Sequence, residues 1–415
     1  MEPNLNLDRR SFLLSASGGL AAVAILPELG FATPAPRLAD PIGVGVIGVG
    51  RHGRALLDEL QKIESFKVAA VCDTEPARLS GGQRRAAGAE GFATHQEMLD
   101  KAKGVQAVVI ATPTHLHKEI ALDCLSAGKH VFCEAPLAAT VEDCKAIAAA
   151  AAKASTIFQP GLYARSNPVY KLARTFFKSD SVLELIAMRA QDYKKQSWRF
   201  PSSDPARDNA ANWRLDPAVS IGLAGELGTH QFDVFQYYTG RYAKGVRGDG
   251  SIRLHNDGRT IADTIHCDFH YADGVMLSYS ASICNSYEGR YEVFHGSNAA
   301  IKLAWSHGWM FKEADSPTQG WEVYANRQQF HNDEGITLIA DATKLASQGK
   351  LKEGIGLPFT PAYYALVDFA GSIADKKPPA CSAAEGARAS IIGILADQAV
   401  VGRKEIDITE DALKI

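Results

Sequence analysis

Apolar runs, broken at short intervals by glycine and polar punctuation, fill the first third of the chain. Residues 42–47 are apolar, 54–63 carry a helical pattern, and 67–72 read as a second strand, apolar after Lys67. Residues 105–111 read as a continuous strand stopped by Thr112-Pro113, 117–127 as a helix ended by Gly128, and 130–133 as a short strand. An alanine-rich helix at 141–153 and a strand beginning at 157–158 complete the series before Pro160-Gly161. Continuous apolar strands alternating with helices predict a parallel, doubly wound sheet.

Past residue 160 the signals change. Asn167-Pro168 opens a helix reaching 178, and 182–191 reads as a strand. Residues 193–223, rich in Trp, Arg, Asp and Pro, show no period and are expected to form a long loop. A helix at 228–238 precedes strand patterns at 261–271, 275–284, 291–296 and 299–304, with turns such as Ala272-Asp273-Gly274 between them. These predict a large, mostly antiparallel open sheet. Helices at 361–374 and 383–401 and a short strand at 405–408 close the chain. The expected class is α/β, an N-terminal doubly wound parallel sheet followed by an α+β domain. Expected boundaries are 1–40 for a leader and linker, 41–160 for the first domain and 161–415 for the second. The last helices are expected to pack back on the first domain.

The junction after the first strand carries chemistry. Gly48, Gly50 and Gly53 stand in Gly-x-Gly-x-x-Gly spacing, with Arg51 and His52 between the last two. In this pattern the first glycine permits the tight turn, the second lets backbone approach a pyrophosphate, and the third lets the helix pack closely on the strand. The helix N-terminus offers unpaired N–H groups and a positive dipole end to the phosphates. The second strand ends on Asp73, about 20 residues further on, where a carboxylate holds the adenosine ribose hydroxyls. A dinucleotide-binding Rossmann domain is therefore expected. The Asp73 charge repels a 2′-phosphate and favours NAD over NADP, a preference that Arg51 softens.

Residues 7–14, Leu-Asp-Arg-Arg-Ser-Phe-Leu-Leu, form a twin-arginine pattern ahead of a small-residue apolar run to Leu26. The run is too short for a membrane span of about 20 apolar residues. Gly30-Phe31-Ala32 and Thr33-Pro34-Ala35 are candidate cleavage sites. The expected product is a periplasmic or exported protein with no membrane anchor, delivered folded by the twin-arginine machinery. Free NAD is scarce outside the cytoplasm. A cofactor loaded before export is thus expected to stay tightly bound and to be regenerated on the site.

A length of 415 residues suits two domains with substantial cores. A net charge of −3 with 22% charged residues argues against a nucleic-acid surface. Seven cysteines, none in Cys-x-x-Cys spacing, give no zinc or redox motif. Cys72, Cys124, Cys133 and Cys144 fall in apolar strands or helical patterns, where a thiol packs as a small hydrophobe. No disulfide is assigned, and no metal is expected.

Four further motifs, in order, carry a resemblance. They are Thr112-Pro113-Thr114-His115-Leu116-His117, Ala127-Gly128-Lys129-His130-Val131, Arg165-Ser166-Asn167-Pro168-Val169-Tyr170, and Glu226-Leu227-Gly228-Thr229-His230-Gln231-Phe232-Asp233. With the glycine loop they make the chain similar to the glucose-fructose oxidoreductase, inositol dehydrogenase and rhizopine-catabolism (Gfo/Idh/MocA) family over nearly its whole mature length. The resemblance implies a cofactor side built from Thr112, Pro113, His117, Glu134, Ala135 and Pro136, a catalytic His230, and Arg165 on the substrate side. It also implies a homo-oligomer that pairs the open faces of the second-domain sheets.

Two departures touch the chemistry. The family's Glu-Lys-Pro reads Glu134-Ala135-Pro136, so the lysine that helps move the hydroxyl proton is missing. The motif aspartate is Glu226, four residues before His230, where an i,i+4 carboxylate is expected to orient the imidazole. Tyr163, just past the domain crossover, presents a phenol either to the cleft or to the core. Trp198, Trp213 and Arg214 supply stacking rings and a forked donor in the irregular loop, either for a sugar or for packing. Lys194 and Lys195 are expected to be solvated. The expected function is hydride transfer on a sugar, sugar derivative or cyclic polyol. The alternatives are an NAD-dependent glycosidase working by oxidation, elimination, hydration and reduction, a two-substrate exchange, and a non-catalytic sugar-binding relative.

Overall fold

The structure, a computed structural model, describes residues 38 and 40–415 apart from 202–203, 305, 320–321, 323–324, 326, 331–332 and 340–355. The twin-arginine pattern, the apolar run behind it and both candidate cleavage sites lie outside the described residues. Strands β1 (Ile42–Ile47), β2 (Phe66–Cys72), β3 (Glu90–Phe92), β4 (Ala107–Ile110), β5 (His130–Cys133) and β6 (Phe158–Pro160) form a six-stranded sheet in the order β3-β2-β1-β4-β5-β6. All its pairings are parallel. Every residue of β1 is buried, as a central strand with both faces covered requires. Strand order reverses beside β1, which opens a crevice at the carboxyl ends of β1 and β4.

Helix α1 (Arg51–Leu60) follows directly from the Gly50 N-cap, earlier than the apolar pattern alone marked it. Gly48 has φ +88°, and a Cβ there would meet Ala111 O at 2.7 Å. A Cβ on Gly53 would lie 1.8 Å from Gly48 O, so the helix approaches the strand closer than any side chain allows. Helices α2 (Pro76–Arg85) and α3 (His95–Lys101) flank β3 and were not marked by the apolar pattern. Each buries a single residue, Gly82 or Met98. Helices α4 (His117–Ser126) and α5 (Val141–Lys153) complete the covering layers.

Helix α6 (Pro168–Lys178) leads to β7 (Leu185–Tyr193), and helix α7 (Pro205–Ala211) lies inside the segment that showed no period. Helix α8 (Thr229–Thr239) then precedes a long meander. Its strands are β8 (Gly245–Ser251), β9 (Thr264–His270), β10 (Met276–Ser282), β11 (Arg290–Gly296), β12 (Ala299–Ala304), β13 (His307–Lys312), β14 (Arg327–Phe330), β15 (Asp333–Thr337) and, at the end of the chain, β16 (Glu405–Asp407). With β7 they form a ten-stranded sheet in the order β14-β15-β13-β12-β11-β7-β10-β9-β8-β16. Only β7 and β10 pair in parallel; the other neighbours are antiparallel. The glycine-rich β8 and the polar β14 lack the alternation that marked their neighbours.

Two C-terminal helices tie the sheets together. In α9 (Pro361–Asp375), Leu366 and Phe369 share one apolar cluster with Leu56, Leu57, Leu60 and Phe132 of the first domain. Helix α10 (Ala383–Gly402) starts with a Ser382–Glu385 capping box, and Ser390 Oγ accepts from Leu137 N at 2.9 Å. All seven cysteines are free. No helix among the described residues is long and apolar enough to cross a membrane.

Candidate active site

The crevice is built for a dinucleotide at its glycine end. A Cβ on Gly50 would meet nothing within 4 Å, and no side chain caps the N-terminus of α1. Backbone N–H groups therefore face open space where phosphates bind such helices. The Asp73 carboxylate closes the end of β2, accepting from Val49 N at 3.0 Å and Glu75 N at 2.9 Å. Its position ties this carboxylate to the glycine loop. These residues fit NAD. At the end of β4, the His117 ring bridges two backbone carbonyls, Pro136 O from Nδ1 and Thr112 O from Nε2, each at 2.9 Å. His117 thus lies between the Thr112-Pro113 turn and Pro136; burial pushes its pKa down against the two carbonyls, and the neutral ring donates to one of them at a time.

Further along, Tyr163, Glu134 and His52 meet. The Tyr163 hydroxyl donates to Glu134 Oε1 at 2.5 Å, and His52 Nε2 lies 3.2 Å from that hydroxyl and 3.3 Å from Glu134 Oε2. Burial, reinforced by the Glu134 charge, pushes the phenol well above its ordinary value. Burial pulls His52 down, but the Glu134 charge and hydrogen bond outweigh it and leave the imidazole above 6.5. The His52 side chain remains 54% exposed, so this buried pair has an outlet to solvent. The methyl of Ala135 packs against Leu162, Cys381 and Ala389.

His230 stands across from Tyr163, ring centroids 6.0 Å apart. Burial first, then the Arg290 and His52 charges, push its pKa down to about 3, against a hydrogen bond with the Ala135 backbone. The ring is therefore neutral, and its Nδ1 is buried without a partner. Elsewhere Thr112 Oγ1, His115 Nδ1 and Glu226 Oε1 are also buried without a partner. Buried polar groups normally find partners, so the unpartnered His230 Nδ1 marks a place where a ligand or water supplies one.

Several sequence expectations need correction here. Glu226 does not orient His230. Residues Ala224–Gly228 form a π-helical turn, whose wider winding takes Glu226 off the i,i+4 position. Its Oε2 instead accepts from Thr114 Oγ1 at 3.2 Å and faces Arg214 Nε at 3.4 Å. Arg165 is not a substrate donor. Its guanidinium is 4% exposed and holds Asp233, Glu385 and Gln236 at 2.7–3.1 Å. Trp198 and Trp213 are buried, and the Arg214 guanidinium lies over their rings at 5.6 and 4.3 Å. The two indoles support an arginine, which stays 42% exposed and is the group of the three left to face a ligand. Lys194 and Lys195 are exposed.

The sequence did not single out Arg290 and Asp192, which pair at 3.4 Å across β11 and β7 on the His230 side. Their one signal was a charge ending or opening an otherwise apolar strand. Two His/Cys/Asp/Glu triplets occur among the described residues, His255–Asp263–Cys284 and His95–Glu119–Asp123. In the first, Asp263 already accepts three backbone N–H groups and Thr264 Oγ1.

A nucleotide-binding crevice facing a second, mostly antiparallel domain defines an NAD-dependent oxidoreductase. Family models agree: an oxidoreductase family model with an NAD-binding Rossmann fold matches residues 42–162, and a GFO/IDH/MocA C-terminal domain model matches 194–302. The chain belongs to the Gfo/Idh/MocA family. It is 23% identical over 367 residues to a myo-inositol 2-dehydrogenase of Thermotoga maritima, covering 88% of this chain and 98% of that protein. It is 33% identical over 160 residues to a glycosyl hydrolase family 109 protein of Shewanella amazonensis, 33% of this chain and 35% of that protein. The fold matches levoglucosan dehydrogenase in complex with NADH and L-sorbose with a TM-score of 0.71 at 20% identity, over 89% of this chain and 99% of that one.

Proposed function

We propose that this oxidoreductase acts on a hydroxyl-bearing carbon of a sugar, sugar derivative or cyclic polyol, with an NAD that is held tightly and regenerated on the site. The observation that carries the reading is the Tyr163–Glu134–His52 network, which stands beside Ala135 where the family pattern has lysine. NAD, when bound, supplies the hydride acceptor. The chain must then take the hydroxyl proton as the C–H bond breaks. Tyr163 takes that proton while passing its own to Glu134, and the half-exposed His52 links the pair to solvent. Neutral His230 offers Nδ1 as an acceptor that orients the hydroxyl. Arg214, held over two indoles, donates to the sugar. The substrates named for the myo-inositol and levoglucosan enzymes support a polyol or sugar here.

The twin-arginine pattern supports export with the cofactor already loaded, and the open face of the ten-stranded sheet supports a homo-oligomer. A second reading, a redox-neutral glycosidase, is favoured by the same network and by the family 109 relative. A tyrosine–glutamate pair also suits removal of a proton from carbon beside a transient carbonyl. Sugars added to the protein, without free NAD, separate the two. Reduction of bound nucleotide by a sugar supports the oxidoreductase. Release of nitrophenol from a nitrophenyl glycoside at constant nicotinamide absorbance supports the glycosidase. Neither response to a broad panel overturns both.

A further inference from the structure

We propose that residues 198–201 and 204–215 form a strap over the cofactor crevice that sets how slowly NAD leaves, with Phe200 and Arg207 as its closing contacts. The proposal rests on the retained cofactor described above. The anchors lie in line along the carboxyl edge of the first sheet. Arg207 Nη2 donates to Glu75 Oε1 at 2.9 Å, two residues past Asp73 at the end of β2. The Phe200 ring lies 5.7 Å from the guanidinium of Arg51, in the glycine loop after β1. Trp213 meets His115 edge-on at 5.7 Å, past the end of β4. A dinucleotide laid from Asp73 past Gly50 toward β4 follows that line and lies beneath the strap.

The strap is strong at its root and weak at its tip. At the root, Arg259 is 1% exposed and donates to both Asp257 oxygens at 2.7 and 2.6 Å and to Ser197 O at 2.7 Å. Arg199 Nε joins the same carboxylate at 2.7 Å. In the middle, buried Asn212 accepts from Phe200 N at 2.7 Å and donates to Phe200 O at 3.1 Å and Asp208 O at 2.9 Å. The two flanks therefore move as one unit. At the tip, Arg207 is 57% exposed and Phe200 47%, and contacts so exposed open easily. Trp198, Trp213 and Leu215 are buried and hold both ends, so opening is confined to the exposed stretch that carries Phe200 and Arg207 between them.

The test is release of bound NADH, read as the loss of its protein-bound fluorescence after dilution into buffer with a nucleotide scavenger. Arg207→Ala and Phe200→Ala are each expected to speed release about two- to fivefold, and together about tenfold. Asn212→Ala, which splits the unit, is expected to speed it as well. Arg207→Glu should release quickly, and adding Glu75→Arg should restore slow release, a rescue that a merely misfolded variant would not give. Unchanged release from Arg207→Ala and Phe200→Ala overturns the strap while leaving a retained cofactor standing. Release from the unaltered protein within the mixing time overturns both.

Discussion

The Tyr163 phenol donates to Glu134 Oε1 at 2.5 Å while His52 Nε2 sits 3.2 Å from the same phenol oxygen. Gly161 makes room for this arrangement, since a Cβ there would lie 3.0 Å from Glu134 Oε2. Three residues from three places, the glycine loop, the end of β5 and the domain crossover, thus meet beside Ala135, where the family pattern has lysine.

Tyr163→Phe keeps the ring and removes the hydroxyl proposed to carry the proton. Turnover is expected to fall about 10²- to 10⁴-fold, the usual weight of a positioned acid–base group, with bound NAD retained. Glu134→Gln should fall with it, and the double variant should lose little more, because the two act as one unit. Full turnover in Tyr163→Phe, measured alongside nucleotide content, removes the phenol from the mechanism.

His230 gives a pH signature. Its folded value of about 3 lies below the unfolded 6.5, so between those limits the unfolded chain binds a proton that the folded chain does not. Its contribution to stability is complete above 6.5 and is lost as pH falls toward 3. His230→Gln should flatten the fall of melting temperature across that window by about one proton's slope. An unchanged profile contradicts the buried, neutral ring.

Restoring the family lysine should not restore the family chemistry. Ala135 packs against Leu162, Cys381 and Ala389, so Ala135→Lys forces a long cation toward an apolar cluster. The variant is expected to lose about 1–3 kcal/mol of stability, as overpacking does, and to gain no activity. A stable, faster enzyme would show that the lysine has another way into the crevice.

Arg165→Met tests the structural role given to that residue. Breaking a buried ion pair leaves Asp233 uncompensated and typically costs about 3–5 kcal/mol. Thermal melts should show that loss, and Arg165→Met with Asp233→Leu should recover much of it. A changed KM at unchanged stability would return Arg165 to the substrate side.

Most of the first sheet was legible because β1 and β4 are apolar throughout and the turn after β1 carries glycines with distinct steric tasks, whereas β3, Glu90–Phe92, buries only Phe92 and left no pattern. Asp73 could be read for the same reason, as its distance from the glycines is set by one strand–helix–strand unit. The partner of Glu226 could not be read. A π turn leaves no periodic mark, and the carboxylate found Thr114 from a loop more than a hundred positions away. Arg165 misled because a buried ion pair and a ligand-binding arginine look alike in sequence. The strap was hidden in a stretch without period, where Asn212 and Asp257, rather than apolar spacing, organise the chain.

The most direct measurement is the nucleotide content of the purified protein, released by denaturation and identified by mass spectrometry. The account predicts about one NAD per chain, surviving extensive dialysis, as a crevice lined by Gly50 and Asp73 and latched by Phe200 and Arg207 requires. A nucleotide-free protein that binds added NAD only weakly would contradict it.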